Sequence, residues 1–124
     1  MFFGVCIGAL AAHWLKSQIS PERFNSLETG LRYLMIHGLA LISFSFYYAK
    51  WNSALFGMAL KLMVSGNLLF SGSILLLSLQ SLLGLSSISF ILGPITPIGG
   101  LLMILAWLLL IFLFIKHSHV NENQ

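Results

Sequence analysis

The sequence predicts an all-α integral membrane protein, a bundle of four transmembrane helices with a short interfacial helix between the first and second. Three observations carry this expectation. Of 124 residues, 58% are hydrophobic and only 7% are charged, whereas a soluble domain carries about a quarter charged residues. Mean hydropathy is +0.96. Nothing between Leu62 and Ile115 is ionisable at ordinary pH, a tract too long for one span and suited to two. Lipid must therefore face most of this surface, and a soluble enzyme is excluded. Four spans of about 20 residues leave about 44 for loops and ends, within one membrane domain over residues 1–124.

The first span is expected over residues 1–19. Its apolar run, Met1 to Leu15, is closed by Lys16. Fifteen residues reach only about 22 Å, so the helix should continue to Ile19 with Lys16 snorkelling. Ala9-Leu10-Ala11 looks like a signal-peptidase site, but no Lys or Arg precedes the apolar run, and a retained helix is expected. Gly4, Gly8 and Ala12 recur every four residues, a spacing that lets a neighbouring helix approach closely.

Ser20-Pro21-Glu22-Arg23 is a helix start: serine caps, proline suits the first helical position, and an acid favours the positive helix end. Residues 20–29 are too polar for hydrocarbon and are expected to form the interfacial helix. The second span follows over 30–49, with Lys50, Trp51 and Asn52 at its far end. The third is expected over 62–83. Pro94 and Pro97, which cannot donate a backbone hydrogen bond, set a link at 84–97 and begin the fourth span at 98–115. A polar tail, 116–124, closes the chain. Lys50, Lys61 and Lys116 on one side balance Lys16, Arg23 and Arg32 on the other, so the positive-inside rule gives no orientation.

Few residues offer chemistry. Glu28 and Arg32 are four apart and share a helix face, His37 lies two turns inside an apolar helix, and His13 lies near the end of the first. Ionisable groups at membrane depth are functional candidates by default. The plainer expectation is a structural polar block of His13, Glu28, Arg32 and His37. Ser71, Ser73 and Thr96 are candidates for lining a crevice, and Gly72, Gly99 and Gly100 for close helix packing. His117, His119 and Glu122 do not amount to a metal site, which needs three or four ligands with a supporting shell. No catalytic residue, cofactor or metal is expected. The six basic residues are scattered beside apolar runs, so nucleic acid is not an expected partner. Cys6 is alone and permits no internal disulfide.

These residues also carry a family resemblance. Gly8-Ala9-Leu10-Ala11-Ala12-His13-Trp14-Leu15-Lys16 resembles the Gly-Ala-Phe-Gly-Ala-His-Ala-Leu-Lys opening of the YgdD and transmembrane-protein-256 family. Ser20-Pro21-Glu22-Arg23, Glu28-Thr29, Arg32-Tyr33 and His37 match its next block in order. Leu69 to Ser73 and Gly93 to Gly100, followed by Trp107, resemble two later blocks. The chain departs from the pattern at Ala11, where the family usually has glycine, and in its short first apolar run. The resemblance implies a small multi-pass membrane protein of unknown biochemical function and transfers no catalytic residue. The expectation is a non-enzymatic accessory or scaffold component of a bacterial cytoplasmic (inner) membrane, in contact with the bilayer and joined to other membrane proteins or to itself through helix faces. The alternative is a small transporter or lipid-binding protein with an intrabundle crevice; an enzyme acting on a lipid ranks third.

Overall fold

The structure, a computed structural model, describes residues 2–51, 53–84 and 89–121. Four α-helices follow one another: α1 (Phe2–His13), α2 (Pro21–Trp51), α3 (Ala54–Leu79) and α4 (Ser89–Asn121), with a single 3-10 turn at Leu15–Ser17 between the first two. Helix α3 is the centre. It packs along both α2 and α4, while α1 lies against α2.

Helix α2 begins where the sequence places it. The Arg23 backbone N–H reaches Ser20 Oγ at 3.5 Å, the Phe24 N–H donates to the Ser20 carbonyl at 2.9 Å, and Pro21 is the first helical residue. The expected interfacial helix is not separate: residues 20–29 run unbroken into the stretch that follows, in one helix of 31 residues. No glycine or proline signal interrupts the register between them except Gly30, which a helix tolerates when its small size is needed. A methyl group there would lie 3.0 Å from Ile74 Cγ2 of α3.

Helix α3 starts at Ala54, before the expected Leu62, with extended Ser53 as its N-cap residue. Lys61 therefore sits inside the helix, exposed, where its long stem can carry the ammonium toward water. The helix ends at Leu79, and a turn closes on Gly84, whose φ of +65° is the left-handed conformation that glycine adopts without steric cost.

The fourth helix departs most from expectation. Pro94 and Pro97 lie inside it rather than in a link, and it starts at Ser89. Residues 85–88 of the expected link fall outside the described residues. A helix-interior proline costs about 3 kcal/mol in water. In an apolar solvent, breaking the helix would strand several backbone groups instead of one or two, which reverses the preference. The expected tail is helical to Asn121; residues 122–124 lie outside the described residues.

Among the described residues, two helices rather than four are long and apolar enough to cross a membrane: α3, and α4 over Ser89–Ser118. Helix α1 has 12 residues and reaches about 18 Å, against hydrocarbon about 30 Å thick. Helix α2 has the length, but Glu22, Arg23, Glu28 and Arg32 all fall between Pro21 and Arg32, near its start. In the most apolar stretch of α4 only 22% of residues are buried. A soluble core helix of that composition would be mostly covered. Phe90, Ile98, Leu101, Ile104, Leu108 and Phe112 point outward instead.

The interior is layered. At one end Ala11, Leu15, Ile19, Leu27 and Leu31 pack where α1 folds back on α2. At the other, Phe56, Ala59, Met63, Ala106 and Leu110 fill the α3–α4 seam. Between them the two backbones touch. A methyl on Gly66 would lie 2.8 Å from the Gly99 carbonyl oxygen, and one on Gly99 would fall against the Phe70 backbone nitrogen. Of the expected close-packing positions, Gly99 lies against the α3 backbone, and a methyl on Gly4 would lie 3.1 Å from the Met35 side chain. Gly100 has ordinary contact, and Gly8 and Gly72 have nothing within 4 Å. Ala12 falls outside the described side chains. Gly66, the partner of Gly99, was not among the expected positions.

Gly99→Ala or Gly66→Ala must spread α3 from α4, at about 1–3 kcal/mol for overpacking. Gly72→Ala faces open space and gains helix propensity of up to about 1 kcal/mol. Thermal unfolding in one detergent, followed by loss of helical circular dichroism, should lower the midpoint for the first two variants and leave the third unchanged or higher.

Candidate functional site

The polar groups inside the helices meet in the middle layer. His37 lies near the centre of α2 and is buried. Its Nδ1 is 3.0 Å from the Tyr33 carbonyl one turn back. Trp107, near the centre of α4, donates its indole N–H to His37 Nε2 at 3.2 Å. One ring nitrogen must donate and the other accept, so the two contacts select the neutral Nδ1–H tautomer. Both bonds are satisfied by a ring without charge, which suits an apolar surround.

Aromatic rings extend the cluster. Tyr33 stacks on the His37 ring at 5.6 Å between centroids and tilts against Phe70 of α3 at 4.8 Å. Phe44 meets the edge of Trp107 at 5.7 Å. With Gly100, Met103 and Ile104, the side chains of Tyr33, His37, Phe70 and Trp107 line a lateral groove of about 440 Å³ between α2 and α4, floored by α3. Among the described residues the two outer helices make no close backbone contact, so the His37–Trp107 bond bridges them across that groove.

The α3 residues complete the network. Asn67 Nδ2 reaches the Leu34 carbonyl of α2 at 3.4 Å, and Ser71 Oγ donates to Asn67 Oδ1 at 3.1 Å. Ser73 Oγ and Thr96 Oγ1 are 2.7 Å apart across the α3–α4 seam, with the Phe70 carbonyl within 3.0 Å of the first and the Leu92 carbonyl within 3.3 Å of the second. Either hydroxyl can donate to the other, since each arrangement leaves the remaining proton a carbonyl acceptor.

The four residues expected as one polar block are dispersed. His37 is in the middle layer, and His13 is exposed at the end of α1. Glu28 and Arg32 are exposed and line one depression with Gly8, Ala11, Phe24 and Met35; among the described residues no bond joins the two. Exposed long side chains at a rim lose rotamer entropy on pairing and gain little in return. Ser71 and Ser73 are buried in helix seams, and Thr96 lines a cavity with Arg23, Ser26 and Ser78. Trp107 was missed as a site residue. Its signal was available: a buried indole N–H needs an acceptor, and Trp107 is the sole tryptophan in the uncharged tract.

A family model described as a protein of unknown function (DUF423) matches residues 7–100. The chain belongs to the DUF423 family. Its relatives are named membrane proteins. UPF0382 membrane protein YwdK of Bacillus subtilis (strain 168) is 33% identical over 114 residues, covering 91% of this chain and 87% of the relative. UPF0382 membrane protein C1782.12c of Schizosaccharomyces pombe is 38% identical over 104 residues, 83% of this chain and 84% of the relative. A UPF0382 membrane protein of Haemophilus influenzae is 32% identical over 111 residues, 90% and 83%. No solved structure matches the chain. This DUF423 protein is thus a membrane protein of unknown biochemical function, and the matched span holds His37, Asn67, Gly66 and Gly99 while Trp107 lies beyond it.

Trp107→Phe keeps the ring packing but leaves His37 Nε2 without its donor. The expected cost is about 0.5–2 kcal/mol, read as a lower unfolding midpoint in detergent. The double variant with His37→Phe should lose less than the sum of the two single changes, because the orphaned acceptor is gone. Additive losses would show that the bond is not formed.

Proposed function

We propose that this DUF423 protein is a non-enzymatic, multi-pass accessory or scaffold component of a bacterial cytoplasmic membrane, with its chain crossing four times. One observation carries the reading. The buried polar groups of the middle layer are spent on one another, helix to helix, while large apolar side chains face outward. An interior of that kind holds a shape, and an exterior of that kind meets lipid and other helices. The connection between α2 and α3 is only residues 52–53, which leaves little water-side surface there for a soluble partner.

Four crossings are supported by the second half of α2, which turns Ile36, Leu39, Ile42 and Phe46 outward, and by α1, which exposes Phe2, Val5 and Leu10. A bacterial membrane is supported by relatives in Bacillus, Staphylococcus and Haemophilus. Membership of the narrower YgdD and transmembrane-protein-256 group is supported by the ordered sequence blocks. A lipid-binding role is the second reading, favoured by the groove beside His37.

Single cysteines in a Cys6→Ala background test the crossings. Labels at Gln18 and Ser81 should react from one side of sealed vesicles, and labels at Ser53 and Ser118 from the other. If Gln18 and Ser53 label from the same side, α2 does not cross. A photo-crosslinker at outward Ile104 should give one discrete adduct in native membranes, whereas one at buried Ala106 should give none. Unselective labelling of lipid alone from Ile104 would count against a scaffold.

A further inference from the structure

A second cavity lies at the polar end of the molecule, where α2 begins and α3 ends. Its volume is about 250 Å³, and Arg23, Ser26, Ser78, Gln80 and Thr96 contribute five polar side chains to its lining, beside Ile74 and Leu77. That is a dense polar set for a chain with 7% charged residues. Arg23 is half-buried there. Among the described residues, Ser78 Oγ and Gln80 Oε1 are buried side-chain oxygens with no hydrogen-bond partner, although every other buried hydroxyl described above has one. Natural structures rarely leave such groups unsatisfied unless something else occupies the site.

The chemistry of these atoms narrows the occupant. Arg23 supplies a cation suited to a phosphodiester. Gln80 Oε1 only accepts, and Ser78 Oγ accepts as well as donates, so the same occupant must bring N–H or O–H donors. The cavity has room for about eight waters at about 30 Å³ each, the scale of a small zwitterion. Its depth agrees, since Arg23 is in the first turn of α2 and Gln80 follows the last residue of α3. Outward Leu76 of α3 and Phe90 and Ile91 of α4 offer acyl chains an apolar surface over the same stretch of sequence.

We propose that this cavity binds the headgroup of a phosphoethanolamine lipid, with its phosphodiester on Arg23 and its ammonium on Gln80 Oε1 and Ser78 Oγ. The site rests on the bilayer reading only in placing this end of the helices at headgroup depth. A choline headgroup has the phosphate but no N–H donor, and it provides the comparison.

Native mass spectrometry of the full chain, purified in a mild detergent and mixed with phospholipids of identical acyl chains, tests the site. Phosphatidylethanolamine should be retained about tenfold over phosphatidylcholine, the worth of one hydrogen bond to a charged group. Gln80→Leu should abolish that preference, Arg23→Gln should lower retention of both lipids alike, Arg23→Lys should keep both retention and preference, and Lys61→Gln at the far end should leave both intact. Helical circular dichroism verifies that each variant is folded. Equal retention of the two lipids, a preference that survives Gln80→Leu, or retention unchanged by Arg23→Gln overturns the proposal even where the vesicle labelling supports four crossings. Stronger retention of phosphatidylglycerol overturns the ammonium assignment, and equal binding of water-soluble phosphoethanolamine overturns the lipid as its source.

Discussion

Everything in this structure answers one constraint: across most of the chain, water is not present to satisfy a polar group, so each must find its partner within the protein. The consequences are visible at three scales. Backbone groups are gathered into helices that run through two prolines rather than stop at them. Side-chain hydroxyls return to carbonyls of their own helix, as Ser43 does to Leu39 at 3.1 Å and Ser65 to Lys61 at 2.9 Å. The few groups that cannot be satisfied locally, His37, Asn67 and Trp107, reach across to another helix.

That economy explains why the middle layer is both polar and structural. The hydrophobic effect gives no preference for one apolar helix face over another when lipid is the competing solvent, so specificity must come from close contact and hydrogen bonding. The α3–α4 seam uses both. Gly66 and Gly99 let the backbones meet, and the Ser73–Thr96 pair fixes the register beside them. The α2–α4 relation uses side chains alone: the bond between His37 and Trp107, 70 positions apart in sequence, and ring contacts such as that of Phe44 with Trp107. Alpha-helical neighbours in this chain are thus joined by unequal means, one seam rigid and one bridged.

What was legible in the sequence followed from local chemistry. Ser20 and Pro21 announce the start of α2 because a cap and a first-turn proline act within one turn. The all-helical architecture followed from composition, and His37 was recognisable as a buried polar residue from its apolar flanks. Partners distant in sequence were not legible. Gly99 was picked out but Gly66 was not, since nothing near Gly66 says which helix crosses it. The prolines misled for a different reason: the missing N–H and ring clash cost the same anywhere, but in an apolar surround breaking the helix costs more than continuing it. Glu28 and Arg32 had the right spacing for a pair, but spacing grants opportunity without energy at an exposed rim.

The length of α4 has a consequence of its own. Its uncharged stretch from Ser89 to Ile115 is about 40 Å long at 1.5 Å per residue, while that of α3 from Leu62 to Leu79 is about 27 Å. The glycine contact clamps these unequal rods together, so a thin bilayer matched to the shorter must let the longer lean or dimple the surrounding leaflet. Thicker membranes relieve that mismatch on one flank and impose it on the other. Local thickness thereby sets how far the two rods must lean or the leaflet dimple, and mismatch of this kind is what sorts proteins among membranes of different thickness.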